Sequence, residues 1–277
     1  MKQLSERIFK IKDLGRILAG AAACNFLVVL FFILVATPAR ADIVTGLVGW
    51  WKLDGNATDY SGKGNNGTIV GPTATTDRFG RASGALSFDG TFQYVALPET
   101  GALPTVANGS FTLAAWAKIN GKSTFHNIFR RDNITNQGSE LQRYILMWTD
   151  PNGFATFTAN DEVNNFYIVG AVDRTDNQWH HFVSVCDAVG RNVYLYVDGG
   201  LEASSLNIAV MPLITAREPW VIGAISPIYT SQLFLGSIDD ARIYNRALTP
   251  TDITELYNMG APKTLLKRAT LHNALIR

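Results

Sequence analysis

The chain has 277 residues, 47% of them hydrophobic and 17% charged, which excludes a disordered chain and suits one large or two small domains. Its net charge of +1 is set by residues 1–41: without their six basic and two acidic residues, 18 basic face 21 acidic, a net −3. No basic patch with interleaved aromatics precedes the last 15 residues, so nothing points to nucleic acid as a partner.

Residues 1–41 read as an export signal. Lys2, Arg7, Lys10, Lys12 and Arg16 precede an apolar run, ILAGAAACNFLVVLFFILVA, and Ala39-Arg40-Ala41 fits a small-residue cleavage site before Asp42. The run is also long enough to span a bilayer as an uncleaved anchor. In both cases the basic flank stays inside, and the remainder is expected to be secreted or displayed at the cell surface. With Cys24 in the leader, Cys186 is the one cysteine of the exported part. That part therefore has no internal disulfide and must rely on core size or a metal. Cys186 reads as a small strand residue.

From Leu47 onward the dominant hydrophobic period is two. The stretch WWKLDGNATDYSGKGNNGT (50–68) begins as a first strand and continues as a polar loop. Strands are predicted at ALSF, FQYVAL, 111–119, 143–149, 165–172, 179–187 and 192–200, then at WVIGA and LFLGSIDDARIY, all rich in β-branched and aromatic residues. Asp198-Gly199-Gly200 predicts a tight hairpin turn. One helix is expected near the end, with Thr249 as N-cap, Pro250 at the first position and a stop at Gly260. About a dozen strands without βαβ alternation predict an all-β fold. Residues 42–262 form the expected domain, and 263–277 a basic tail.

The ordered segments LVGWWKLDGNATDYSGKGNNGTIV, ALSFDGTFQYVALP, SFTLAAWAKI, QWHHFVSVCD, VYLYVDGGLEAS and GSIDDARIYNRALTPTDITELY resemble a laminin-G-like jellyroll domain of the concanavalin A-like superfamily, of the bacterial secreted or surface type. The resemblance covers residues 46–258; 120–142 departs from it. It implies two antiparallel sheets facing each other as a sandwich, first and last strands adjacent, and binding or adhesion more often than catalysis.

The resemblance also implies a structural Ca2+ on the sandwich rim, with a carboxylate from the last strand. Asp239 is then expected to meet Asp59 and Asn65 of the opening loop, with Asp54 next. Strict alternation along the last strand puts Asp239 on one face with Ala241 and Ile243, and Asp240 on the other with Arg242. The alternative is that Asp54, Asp59 and Asn65 cap turns while Asp240 pairs with Arg242. An EF-hand is excluded, because Asp59 stands where the loop needs Gly and Asn65 where it needs Glu.

No catalytic pattern emerges. None of the exported glutamates has an acidic residue two positions on, as the alternating acid–nucleophile arrangement of jellyroll glycosidases requires. Gly-x-Ser-x-Gly is absent. His180 and His181 are adjacent on a strand and point to opposite faces, so they cannot chelate zinc from one side. For a carbohydrate or another surface ligand, the candidate platform residues are Trp148, Tyr167 and Tyr229, since sugars stack on aromatic rings. Phe166, beside Tyr167, is weighed with them, and a place in the core is the alternative reading for each of these rings. The sequence thus reads as a non-catalytic recognition module, the alternatives being a structural or adhesion spacer and, behind it, a glycosidase relative.

Overall fold

The computed structural model describes residues 42–98, 103, 109–122, 125–133, 143–212, 219–224 and 233–261. The leader, the basic tail and Tyr229 lie outside the described residues. Two antiparallel sheets face each other. The first, in the order β13-β12-β11-β6-β15-β4-β3, contains β13 (Gly200–Ser205), β12 (Asn192–Val197), β11 (Asp176–Asp187), β6 (Phe111–Asn120), β15 (Leu235–Tyr244), β4 (Ala85–Asp89) and β3 (Thr73–Thr75), with β1 (Leu47–Trp51) also paired to β15. The second runs β10-β9-β8-β7-β14-β5-β2: Asn165–Asp173, Phe154–Asn160, Arg143–Thr149, His126–Asn133, Val221–Ile222, Tyr94–Ala96 and Thr68–Val70. The fold class and the pairing of first with last strand are as expected. The strands β2, β3, β7 and β9 were not predicted, β13 was implied only by the hairpin turn, and WVIGA contributes only the two residues of β14.

Alternation accounts for the layering. Leu113, Ala115 and Ala117 of β6 enter the core between the sheets, where they meet Ile145 and Met147 of β8 and Phe157 of β9. Ala114 of β6, Val183 and Val185 of β11, and Tyr244 of β15 point the other way. That second apolar face would lie open without a cover. The helix α1 (Pro250–Gly260) supplies it by burying Ile253 and Leu256, each contributing about 1.5–3 kcal/mol. Its start is fixed by a capping box: the Asp252 N–H donates to Thr249 Oγ1 at 3.2 Å, and the Thr249 N–H to Asp252 Oδ2 at 2.9 Å. The Asp198-Gly199 turn joins β12 to β13, with both residues at positive φ, 52° and 79°, as a two-residue hairpin of this kind requires. Cys186 is buried in the core, where burial pushes its thiol up to about 12.

Strand β15 is the hub. One edge pairs with β6 throughout; the other pairs with β4 at Leu235–Ile238 and with β1 at Ala241–Tyr244. Asp239 and Asp240 stand where that edge passes from β4 to β1. The register with β6 slips between Asp239 and Arg242, and Asp240 takes φ 51°. This is a β-bulge, and it decides the geometry of the cleft described below.

Candidate functional site

The opening loop turns back along β1. Asp59 makes an isolated bridge with Trp51 on the edge of β1 away from β15. Its Oδ1 accepts from the N–H groups of Trp50 at 3.0 Å and Ser61 at 2.8 Å, and its Oδ2 from Ser61 Oγ and the Asn65 N–H, each at 2.8 Å. These bonds hold the Asp59 carboxyl below its usual range despite the burial that opposes them. Asn65 is enclosed, its amide donating to Val48 O at 2.7 Å while its own carbonyl accepts from the Trp51 indole at 2.8 Å.

Asp239, expected beside this pair, makes its ion pair elsewhere. Strict alternation would have left it beside Ala241 and Ile243, which lie in the core between the sheets. The bulge adds a residue, so Asp239, Asp240 and Arg242 all line one cleft outside that core. Asp239 is ion-paired with Arg78, and Asp54 lines the same cleft, whereas Asp59 and Asn65 do not. The oxygens of Asp59 are taken by four donors and Asp239 is held by a guanidinium, whereas Ca2+ takes six to eight oxygens. Among the described residues no group of three His, Cys, Asp or Glu is placed to hold a metal. Asp240 pairs with Arg242 as the alternative reading had it, Nε to Oδ1 at 3.0 Å.

The cleft has a volume of about 290 Å³. Its floor is a closed network. The Asp240 Oδ1 accepts from the Trp50 indole at 2.6 Å and Arg242 Nε at 3.0 Å; its Oδ2 accepts from Arg78 at 3.1 Å and Arg242 at 3.2 Å. Arg78 Nε also donates to Gly260 O at 2.7 Å, tying the end of α1 to β15. Burial raises Asp239 to about 7 against the pull of Arg78, with Asp240 adding to the rise. Arg78 and Lys52 escaped the sequence reading; the available signal was the pair Asp239-Asp240 inside an apolar strand, which demands buried cations.

The aromatic candidates lie elsewhere. Trp148 of β8 and Tyr167 of β10 both point outward from the second sheet, since their neighbours Met147, Phe166 and Ile168 face the core. Register places Trp148 opposite Thr156, and Tyr167 opposite Thr158. Tyr167 is 55% exposed. Trp148 is only 9% exposed, packs on Phe125 at 4.9 Å between centroids, and has an indole N–H without an acceptor. On the same face Arg130 Nε contacts both oxygens of Asp132 at 2.8 Å. Phe166 belongs to the core. The two histidines diverge as expected: His180 bridges Asp198 at 2.7 Å and Asp176 at 3.1 Å, while His181 stacks on Trp116.

Comparison with known proteins places this geometry. The binding domain of Paraclostridial Mosquitocidal Protein 1 superposes with a TM-score of 0.61 at 15% identity, over 77% of this chain and 52% of that one. Domain 4 of AbnA, a GH43 extracellular arabinanase from Geobacillus stearothermophilus solved with arabinotriose, gives 0.59 at 21% identity, over 76% and 98%. The binding domain of botulinum neurotoxin DC, solved with SialylT, gives 0.58 at 14%, over 79% and 52%. The chain spans about half the length of the toxin binding domains it matches. No curated protein matches its sequence. A family model described as the Concanavalin A-like lectin/glucanases superfamily matches residues 89–254, more than half of the chain, and the protein belongs to that family.

Proposed function

We propose that this protein is an exported, non-catalytic recognition module that binds carbohydrate on the outer face of its second sheet. The observation that carries the reading is the shared face of Trp148 and Tyr167, on which the Tyr167 ring is half exposed. Three strands at about 4.8 Å spacing put the two rings roughly 10 Å apart across the sheet, the scale of a short glycan. An exposed ring such as that of Tyr167 offers an apolar face to a sugar. The solved relatives with arabinotriose and SialylT support this class of ligand. A non-catalytic role is supported by the missing alternating carboxylates and by the pairing of Asp132 with Arg130. Export is supported by the leader sequence alone.

A glycan array tests the reading. The exported domain, residues 42–277, should retain a defined set of glycans. Tyr167→Ala should weaken that retention at least about tenfold, a stacking contact plus a hydroxyl, with the melting temperature little changed because the ring is half exposed. No retained glycan, or retention indifferent to Tyr167→Ala, would favour the spacer reading. Polysaccharide turnover abolished by changing two carboxylates to amides would show a glycosidase instead.

A further inference from the structure

The cleft at β1, β15 and the end of α1 is separate from the sheet face assigned to carbohydrate. Its floor groups satisfy one another: Arg78 is shared among Asp239, Asp240 and Gly260 O, and Arg242 is held by Asp240. Its wall groups do not. Lys52 leans over the rings of Tyr60 at 4.1 Å and Trp50 at 5.3 Å and has no carboxylate partner among the described residues. Arg81 uses only its Nε on Asp77 at 2.6 Å, and its side chain is 63% exposed. Asp54 lines the wall without an ion-pair partner among the described residues. The rim is apolar and accessible, with Tyr60, Phe79 and Met259 all exposed. A cleft with a fixed charged floor, two available cations, an available carboxylate and an apolar rim is built to take a ligand rather than to close on itself.

Size and charge select the ligand. Small-molecule pockets start at roughly 300 Å³, so about 290 Å³ suits one small unit, not a chain. Lys52 and Arg81 both line the cleft, Arg81 within the field of Asp54 and Asp239, and charge-assisted bonds to a carboxylate are the strongest use of their remaining N–H groups. Asp54 is placed to accept from hydroxyls. We infer that this cleft binds the carboxylate of a single acidic sugar unit, held between Lys52 and Arg81, with its hydroxyls toward Asp54 and Asp239. This site is independent of the carbohydrate face on the second sheet.

The test uses methyl galacturonide as probe and methyl galactoside as its neutral control, followed through the tryptophan indole N–H resonances. The Trp50 indole, bonded to Asp240 on the cleft wall, should shift and saturate with the galacturonide. The Trp148 indole on the other face should not respond, which separates this proposal from the first. Lys52→Gln should weaken binding about tenfold, the loss of one charge-assisted contact, and Lys52→Gln with Arg81→Gln should abolish it. Lys63→Gln, an exposed lysine outside the cleft, removes the same charge and should change nothing. A silent Trp50 resonance up to about 20 mM probe, weaker than any binding of use, overturns the proposal. An equal response to the galactoside, or undiminished binding by the folded Lys52→Gln protein, overturns it as well.

Discussion

His181 is enclosed between Trp116, at 5.1 Å between ring centroids, and Tyr257, at 6.3 Å. Burial pushes it down to about 4. A histidine depressed in the folded state contributes stability above its ordinary value of about 6.5 and loses it as pH falls toward 4, about 1.4 kcal/mol per pH unit. Asp239 runs the other way: raised to about 7, it contributes stability at low pH that is lost as pH rises through 7. The two overlap, so a variant must isolate the histidine. Urea midpoints at pH 7 and 4.5 should show wild type losing about 2–3 kcal/mol more than His181→Phe, which keeps a stacked ring without a titrating group. Equal losses would mean that His181 titrates alike in the folded and unfolded states. Asp59 makes a second residue-scale case. With four donors on its carboxylate, Asp59→Ala should cost about 2–3 kcal/mol. Melting curves in calcium and in chelator should coincide; a rise of several degrees in calcium, which binding at a hundredfold excess would give, would restore a metal role to the loop.

Among the elements, the outer ends of the two sheets meet where β10 approaches β13. Glu202 of β13 reaches over Gly170 of β10, so that a Cβ added there would lie 2.2 Å from Glu202 Oε2. Arg174 binds Glu202 and lies 3.7 Å from Asp198. This arginine closes the edge in place of a disulfide, and the glycine leaves room for the carboxylate. Gly170→Ala should therefore destabilise by about 1–3 kcal/mol through overpacking. Adding Glu202→Ala should cost less in that background than alone, as expected of side chains in contact. Strict additivity in denaturation midpoints would show that the two do not meet. The bulge of β15 is the other element-scale device. It carries two carboxylates to one side of the sheet at the point where the edge changes partner from β4 to β1, and the cleft follows from it.

Over the whole molecule, one sandwich carries two unlike surfaces: an outer face with Tyr167 and Trp148 on the second sheet, and a charged cleft beside the helix that covers the first. The sequence by itself determined the class of fold, most strand positions, the Asp198-Gly199 turn and the capped helix from Pro250 to Gly260. These depend on local period, turn chemistry and capping, which are written in adjacent residues. It also placed Trp50 and Trp51 on a first strand, which the family resemblance set beside the last. Strand β9, FATFTAN, escaped because small residues and threonine give a weak apolar period, and its burial comes from neighbours on both sides. Only the tertiary structure decided the site. The slip in register at Asp240 moved Asp239 away from Asp59 and toward Arg78, 161 residues earlier in the chain. A period of two carries no sign of a bulge, and a buried carboxylate must find its cation wherever the fold brings one.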